Sequence, residues 1–192
     1  MSPALPRRVR SFRATMNQRG FTLVEMMAVV LIMGILAVLA VVGYSHVTSS
    51  ARMSEATGMI MNIRAAQERY HAETQQYADI SNDLLSTYPT SAPGAFKVQW
   101  GASCTNCKSG MNWSILSIQP DGPLAFGYAT VGGEAGSTPP SITANGTTFT
   151  FPASATDWFL VSARGDTNGN GVECRLYGSS YTHDLIIEKE GE

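Results

Sequence analysis

The sequence predicts an α+β chain: a long N-terminal helix, apolar in its first half and amphipathic in its second, packed on a C-terminal antiparallel β-sheet. Three observations predict it. Residues Phe21–Tyr44 form an apolar run holding one acid, Glu25. Residues 45–75 place apolar side chains at helical spacing, and beyond residue 95 the pattern changes to short β-rich runs separated by turns. At 192 residues there is room for one ordinary domain beside a membrane segment.

Residues 1–20 read as a targeting leader. They carry Arg7, Arg8, Arg10, Arg13 and Arg19 and no acid, with Pro3 and Pro6 and no helical period. Removing those five from the thirteen basic residues leaves eight against fifteen acids, a net −7 for the remainder. A mildly acidic body argues against general nucleic-acid binding, though not against a local basic patch. Arginines ahead of the apolar run predict a cytoplasmic N-terminus and an exported body.

Between Met26 and Val42 no side chain carries a charge or a hydrogen-bonding group. At about 1.5 Å per residue the run from Phe21 to Tyr44 reaches roughly 36 Å, enough to cross a bilayer. Glu25 is costly there, by about 2.5–3.5 kcal/mol, and such an acid is kept where a definite partner neutralises it. A cleaved secretory signal is the plainer reading, but Leu39-Ala40-Val41-Val42-Gly43 makes a poor small-x-small site. An ordinary membrane anchor explains the length and leaves Glu25 unexplained.

Arg19-Gly20-Phe21-Thr22-Leu23-Val24-Glu25-Met26-Met27 closely resembles the N-terminus of type IV prepilins and the related pseudopilins. The resemblance implies a pilin fold, cleavage by a prepilin peptidase between Gly20 and Phe21, and N-methylation of Phe21. It also implies a division into leader 1–20, transmembrane and filament-core helix 21–45, amphipathic half-helix 46–75 and globular head 76–192. Glu25 becomes the fifth mature residue, the assembly glutamate, paired with the new amine on Phe21 of a neighbouring copy. One departure stands out: Gly34 is present, but Val42 occupies a place where the family often has proline, with Gly43 beside it.

The function so implied is structural and not enzymatic. The chain is expected to be a major or minor subunit of a type IV pilus, held in the inner membrane and then assembled into a surface filament for motility, adhesion or DNA uptake. A type II secretion pseudopilin in a periplasmic assembly is the alternative, and a membrane-tethered binding domain a more distant one. The implied partners are copies of itself, related pilins, the prepilin peptidase, the assembly platform and inner-membrane lipid, with DNA or surfaces beyond them.

In the second half of the helix Ala56, Met59, Ile60, Ile63, Ala66 and Tyr70 share one face, and the chain's own sheet is the expected partner. Arg64–Glu68 and Arg69–Glu73 have i,i+4 spacing with the base first and read as a solvated face. His46 and His71 read as surface or partner-contact residues. Residues 76–95 form a connection, with Ser81 as the cap of a short helix over Asn82–Ser86.

Seven runs then read as strands: Ala95–Trp100, Met111–Gln119, Leu124–Val131, Thr147–Pro152, Asp157–Ala163, Val172–Tyr177 and Leu185–Glu188. Gly132–Gly146 reads as a surface loop. Trp100, Trp113 and Trp158 fall in candidate strands and read as core.

Cys104, Cys107 and Cys174 predict one disulfide in an exported head, either Cys104–Cys107 or one of that pair with Cys174. Asp166-Thr-Asn168-Gly-Asn170-Gly171-Val-Glu173 resembles the first half of a calcium loop, with Tyr177 where the twelfth-position glutamate belongs. Asp166, Asn168, Asn170 and Glu173 are therefore candidate Ca2+ ligands. The competing reading is a plain turn, because Asn-Gly pairs readily adopt positive φ. No nucleophile–base pair, phosphate loop or paired-carboxylate motif stands out, and no other cofactor is indicated.

Overall fold

A computed structural model of the chain describes residues 20–94, 96–101 and 103–189; leader residues 1–19 lie outside the described residues. The chain forms two compact units that divide between Val41 and Val42, within helix α1 (Leu23–Thr74). α1 continues through Gly34, Val42 and Gly43, since two isolated glycines cost only about 1 kcal/mol each relative to alanine.

In the first unit every described side chain is exposed, from Phe21 to Val41. This stretch makes α1 long and apolar enough to cross a membrane.

In the second unit α1 turns one face inward. Ala56, Met59, Ile60, Ile63, Ala66 and Gln67 are buried, spaced by three and four residues as the helical period requires. They pack on a four-stranded antiparallel sheet made of β1 (Gly127–Gly133), β4 (Trp158–Gly165), β5 (Cys174–Ser179) and β6 (Ile186–Glu188), in the order β1-β4-β5-β6. β2 (Ile142–Ala144) and β3 (Thr147–Phe149) form a separate hairpin.

β4 is buried on both faces, and its period of two serves two cores. Phe159, Val161 and Ala163 join the cluster containing the α1 residues. Trp158 and Leu160 join a second cluster with Leu84, Val131, Ile142, Ala144 and Tyr177. The hairpin and the loop around Leu84 therefore cover the sheet face that α1 leaves open.

The structure corrects several sequence expectations. Asn82–Ser86 is not helical: Asp83 Oδ1 accepts the backbone N–H groups of Leu85 and Ser86 at 2.7 and 2.6 Å, closing an Asx turn instead. Ser81 caps nothing; its hydroxyl accepts from Thr130 N–H at 3.1 Å. Met111–Gln119 is not a strand but holds a 3-10 turn, Trp113–Leu116, capped by the Asn112 side chain. Of the expected strand Ala95–Trp100, the described residues 96–100 contribute only a bridge from Val98 to Leu124. The expected loop Gly132–Gly146 contains the end of β1, all of β2 and the hairpin turn.

The polar side of α1 is also less solvated than its spacing suggested. Arg64 donates to the carbonyls of Thr182 and His183 at 2.8 and 3.0 Å, and Arg69 donates to Leu116 O at 2.6 Å. Arg52 donates to Thr167 O at 2.7 Å, and Glu55 accepts Ala125 N–H at 2.9 Å while pairing with Lys97. His71 stacks on Tyr77, ring centroids 4.3 Å apart, with Asp157 3.7 Å from its Nε2. The three arginines satisfy loop carbonyls, and Glu55 a loop N–H, outside the strand ladders.

Candidate assembly site at the helix N-terminus

Thr22-Leu-Val-Glu25 is a Thr-x-x-Glu sequence directly ahead of an apolar run, the pattern that closes a helix N-terminus on itself. α1 begins at Leu23, which leaves Thr22 as its cap. Glu25 Oε2 accepts both the Thr22 backbone N–H and the Thr22 hydroxyl, each at 2.8 Å. In return the Thr22 hydroxyl oxygen accepts Glu25 N–H at 3.3 Å.

Two of the four orphan N–H groups at the helix start are thereby satisfied, and the carboxylate sits at the positive end of the helix dipole. Among the described residues no hydrogen bond falls on Oε1, which leaves that oxygen available to an incoming donor. Gly20 and Phe21 precede the helix and are exposed, Phe21 at 79%, so the Gly20–Phe21 peptide lies in accessible chain outside regular structure. The Thr-x-x-Glu spacing that brings Thr22 into this pairing is itself present in the sequence.

The other site candidates all lie in the second unit. Cys104 and Cys107 are joined in a disulfide, Cα atoms 5.5 Å apart, and Cys174 is a buried thiol at the start of β5. The bridged loop is tied to the connection after α1, since Lys108 N–H donates to Ile80 O at 2.7 Å and Ser81 bridges to Cys107.

The candidate calcium turn follows β4. The buried Asp166 carboxylate accepts Gly169 N–H at 2.7 Å, Asn170 N–H at 3.2 Å and Gly171 N–H at 2.9 Å. Asn168 and Asn170 each accept a backbone N–H two residues on, at 3.0 and 2.7 Å. Glu173 is turned to other work: Arg164 grips both its oxygens, with contacts of 2.6 and 2.9 Å from Nη2 and 3.0 Å from Nε. Arg175 adds a contact at 3.2 Å. Burial alone would raise the Glu173 carboxyl, but hydrogen bonds and charge from the two arginines outweigh it and hold its pKa below the usual value. Of the four candidates, Glu173 thus faces two arginines, while Asp166, Asn168 and Asn170 accept backbone N–H groups of their own turn.

Comparison with known proteins agrees with the N-terminal geometry. The model of the prokaryotic N-terminal methylation motif matches residues 15–41. The type II secretion system core protein G of Escherichia coli is 30% identical over 128 residues, covering 58% of this chain and 88% of that protein. The chain belongs to the type IV pilin and pseudopilin family. A second member of this family, the type IV major pilin PilA of Myxococcus xanthus, is 34% identical over 76 residues, 40% of this chain and 34% of its own length. The pilin-family chain described here thus spans about a third of the Myxococcus pilin. A type IV major pilin of Neisseria gonorrhoeae is 31% identical over 104 residues, covering 51% of this chain and 58% of that pilin. No solved structure matches.

Proposed function

We propose that this chain is a structural subunit, major or minor, of a type IV pilus, assembled from the inner membrane into a surface filament. The observation that carries the reading is the Thr22–Glu25 pairing at the mouth of an apolar helix inside a methylation motif. A prepilin peptidase cuts on the cytoplasmic side between Gly20 and Phe21, and Phe21 is methylated. Every group in the Thr22–Glu25 pairing lies beyond that cut and survives it.

While the subunit waits in the inner membrane, Thr22 supports one carboxylate oxygen of Glu25. On assembly the Phe21 amine of a neighbouring copy meets the other. A buried charge left without a partner is strongly destabilising, so a misregistered subunit is disfavoured and the pair sets the axial step. Major pilins among the relatives support this reading.

A second reading, a type II secretion pseudopilin in a periplasmic assembly, is favoured by the 88% coverage of the Escherichia coli core protein. Immunogold labelling of sheared surface fibres separates the two. The pilus reading expects labelled fibres that disappear in Glu25→Ala, whose chain is still processed. A secretion defect with no labelled fibre supports the pseudopilin. Intact mass of the native chain with the arginine-rich leader still attached defeats both.

A further inference from the structure

We infer that Arg164 is the built-in counter-ion of the turn after β4, so that residues 166–173 hold their shape without a divalent cation. The inference concerns the head alone and stands whether the filament is a pilus or a pseudopilus.

Arg164 closes β4 at the point where the turn departs, and Arg175 is its direct partner across the β4–β5 ladder. Two like charges placed opposite each other repel, and something anionic must stand between them. Glu173 fills that place. Its contacts with Arg164 are the planar fork that guanidinium makes with carboxylate, the stronger of the charge-assisted geometries. The pair is well shielded, with side chains 14% and 23% exposed. Arg175 extends the network to Glu188 at 3.5 Å. Arg164 Nη1 also donates to Leu85 O at 2.8 Å, tying the turn's base to the loop that covers the second core.

At the other end of the turn, three N–H donors fill most of the Asp166 carboxylate. Calcium takes about 6–8 oxygen ligands, usually several of them charged. With Glu173 bound to arginine, Asp166 is the one carboxylate left in the candidate set. The positive charge that a metal would bring to this turn is already supplied by the chain.

The test is thermal unfolding of the full chain in detergent micelles, followed by tryptophan fluorescence. Melting in chelator and in about 5 mM calcium chloride, above the ~1 mM weak end of extracellular calcium sites, is expected to coincide. A calcium-dependent rise of several degrees, as ligand linkage requires for an occupied site, overturns the inference. Arg164→Gln and Glu173→Gln should each lower the midpoint by about 3–6 °C, and the double variant should fall no further than the worse single one. Fully additive losses overturn the inference, because the two side chains would then act independently.

Discussion

The side-chain amide of Gln67 pairs with both backbone groups of Ala78: Oε1 accepts Ala78 N–H and Nε2 donates to Ala78 O, each at 2.8 Å. Nε2 also donates to Thr130 Oγ1 at 2.8 Å, so one fully buried side chain joins α1, the chain leaving it and β1. Gln67 does for this connection what a strand partner does for a ladder. Gln67→Met fills the same space and leaves the Ala78 N–H and C=O buried without partners. The expected loss is about 2–4 kcal/mol, read as a lower unfolding midpoint of the full chain in detergent.

The cap at the start of α1 gives a prediction about assembly. Thr22→Val keeps the backbone N–H bond to Glu25 and deletes the hydroxyl that both donates and accepts. Loss of such a cap costs about 1 kcal/mol and frees the carboxylate to rotate away from the helix mouth. The variant should be processed normally and yield fewer fibres on shearing, while Thr22→Ser recovers the wild-type yield. Equal yields from valine and threonine chains would remove the hydroxyl from the account.

Close approach at Gly127 gives a third. A Cβ there would stand 2.5 Å from Thr90 O and 2.7 Å from Thr87 Oγ1. The first neighbour is backbone and cannot swing aside. Gly127→Ala should therefore destabilise the head by about 1–3 kcal/mol. Denaturant titration should show a lower midpoint with an unchanged slope.

Glu173 supplies the pH dependence. Its pKa is depressed in the folded state, so the unfolded chain takes up the proton first as pH falls. The stabilisation is present above the unfolded carboxylate value of about 4.3 and is lost as pH drops through the folded value beneath it. Wild type should thus exceed Glu173→Gln in melting temperature at pH 7, with the gap narrowing below about pH 4. A gap that widens in acid would reverse the sign of the argument.

The parts legible in sequence are those written in local periodicity. The buried stripe from Ala56 to Ala66 follows the helical period, and β4 and β5 follow from β-rich runs bounded by turn residues. The β2–β3 hairpin was also legible, in Ala144-Asn145-Gly146-Thr147: Asn145 and Gly146 take φ of 50° and 75°, the pair of positive values a two-residue hairpin turn needs. The same stretch also carries Pro139 and Pro140, residues typical of a loop, ahead of the Asn-Gly pair. Asn112 was the overlooked cap that turns Trp113–Leu116 into a 3-10 turn.

The reach of Arg64, Arg69 and Arg164 was not legible. Each ends on a carbonyl or carboxylate whose position is set by the fold and not by neighbours in sequence. At the helix N-terminus Glu25 was legible from its place in the apolar run, and so was the Thr-x-x-Glu spacing around it. Thr22 owes its contact with Glu25 to that local spacing, the pattern of a capping box.

The two-sided burial of β4 has a consequence for how such a chain changes over generations. Its alternate residues answer to separate neighbourhoods, so a substitution packed under the β2–β3 hairpin and one packed on α1 can be accepted independently of each other. Change on one face of the strand then need not be matched by change on the other.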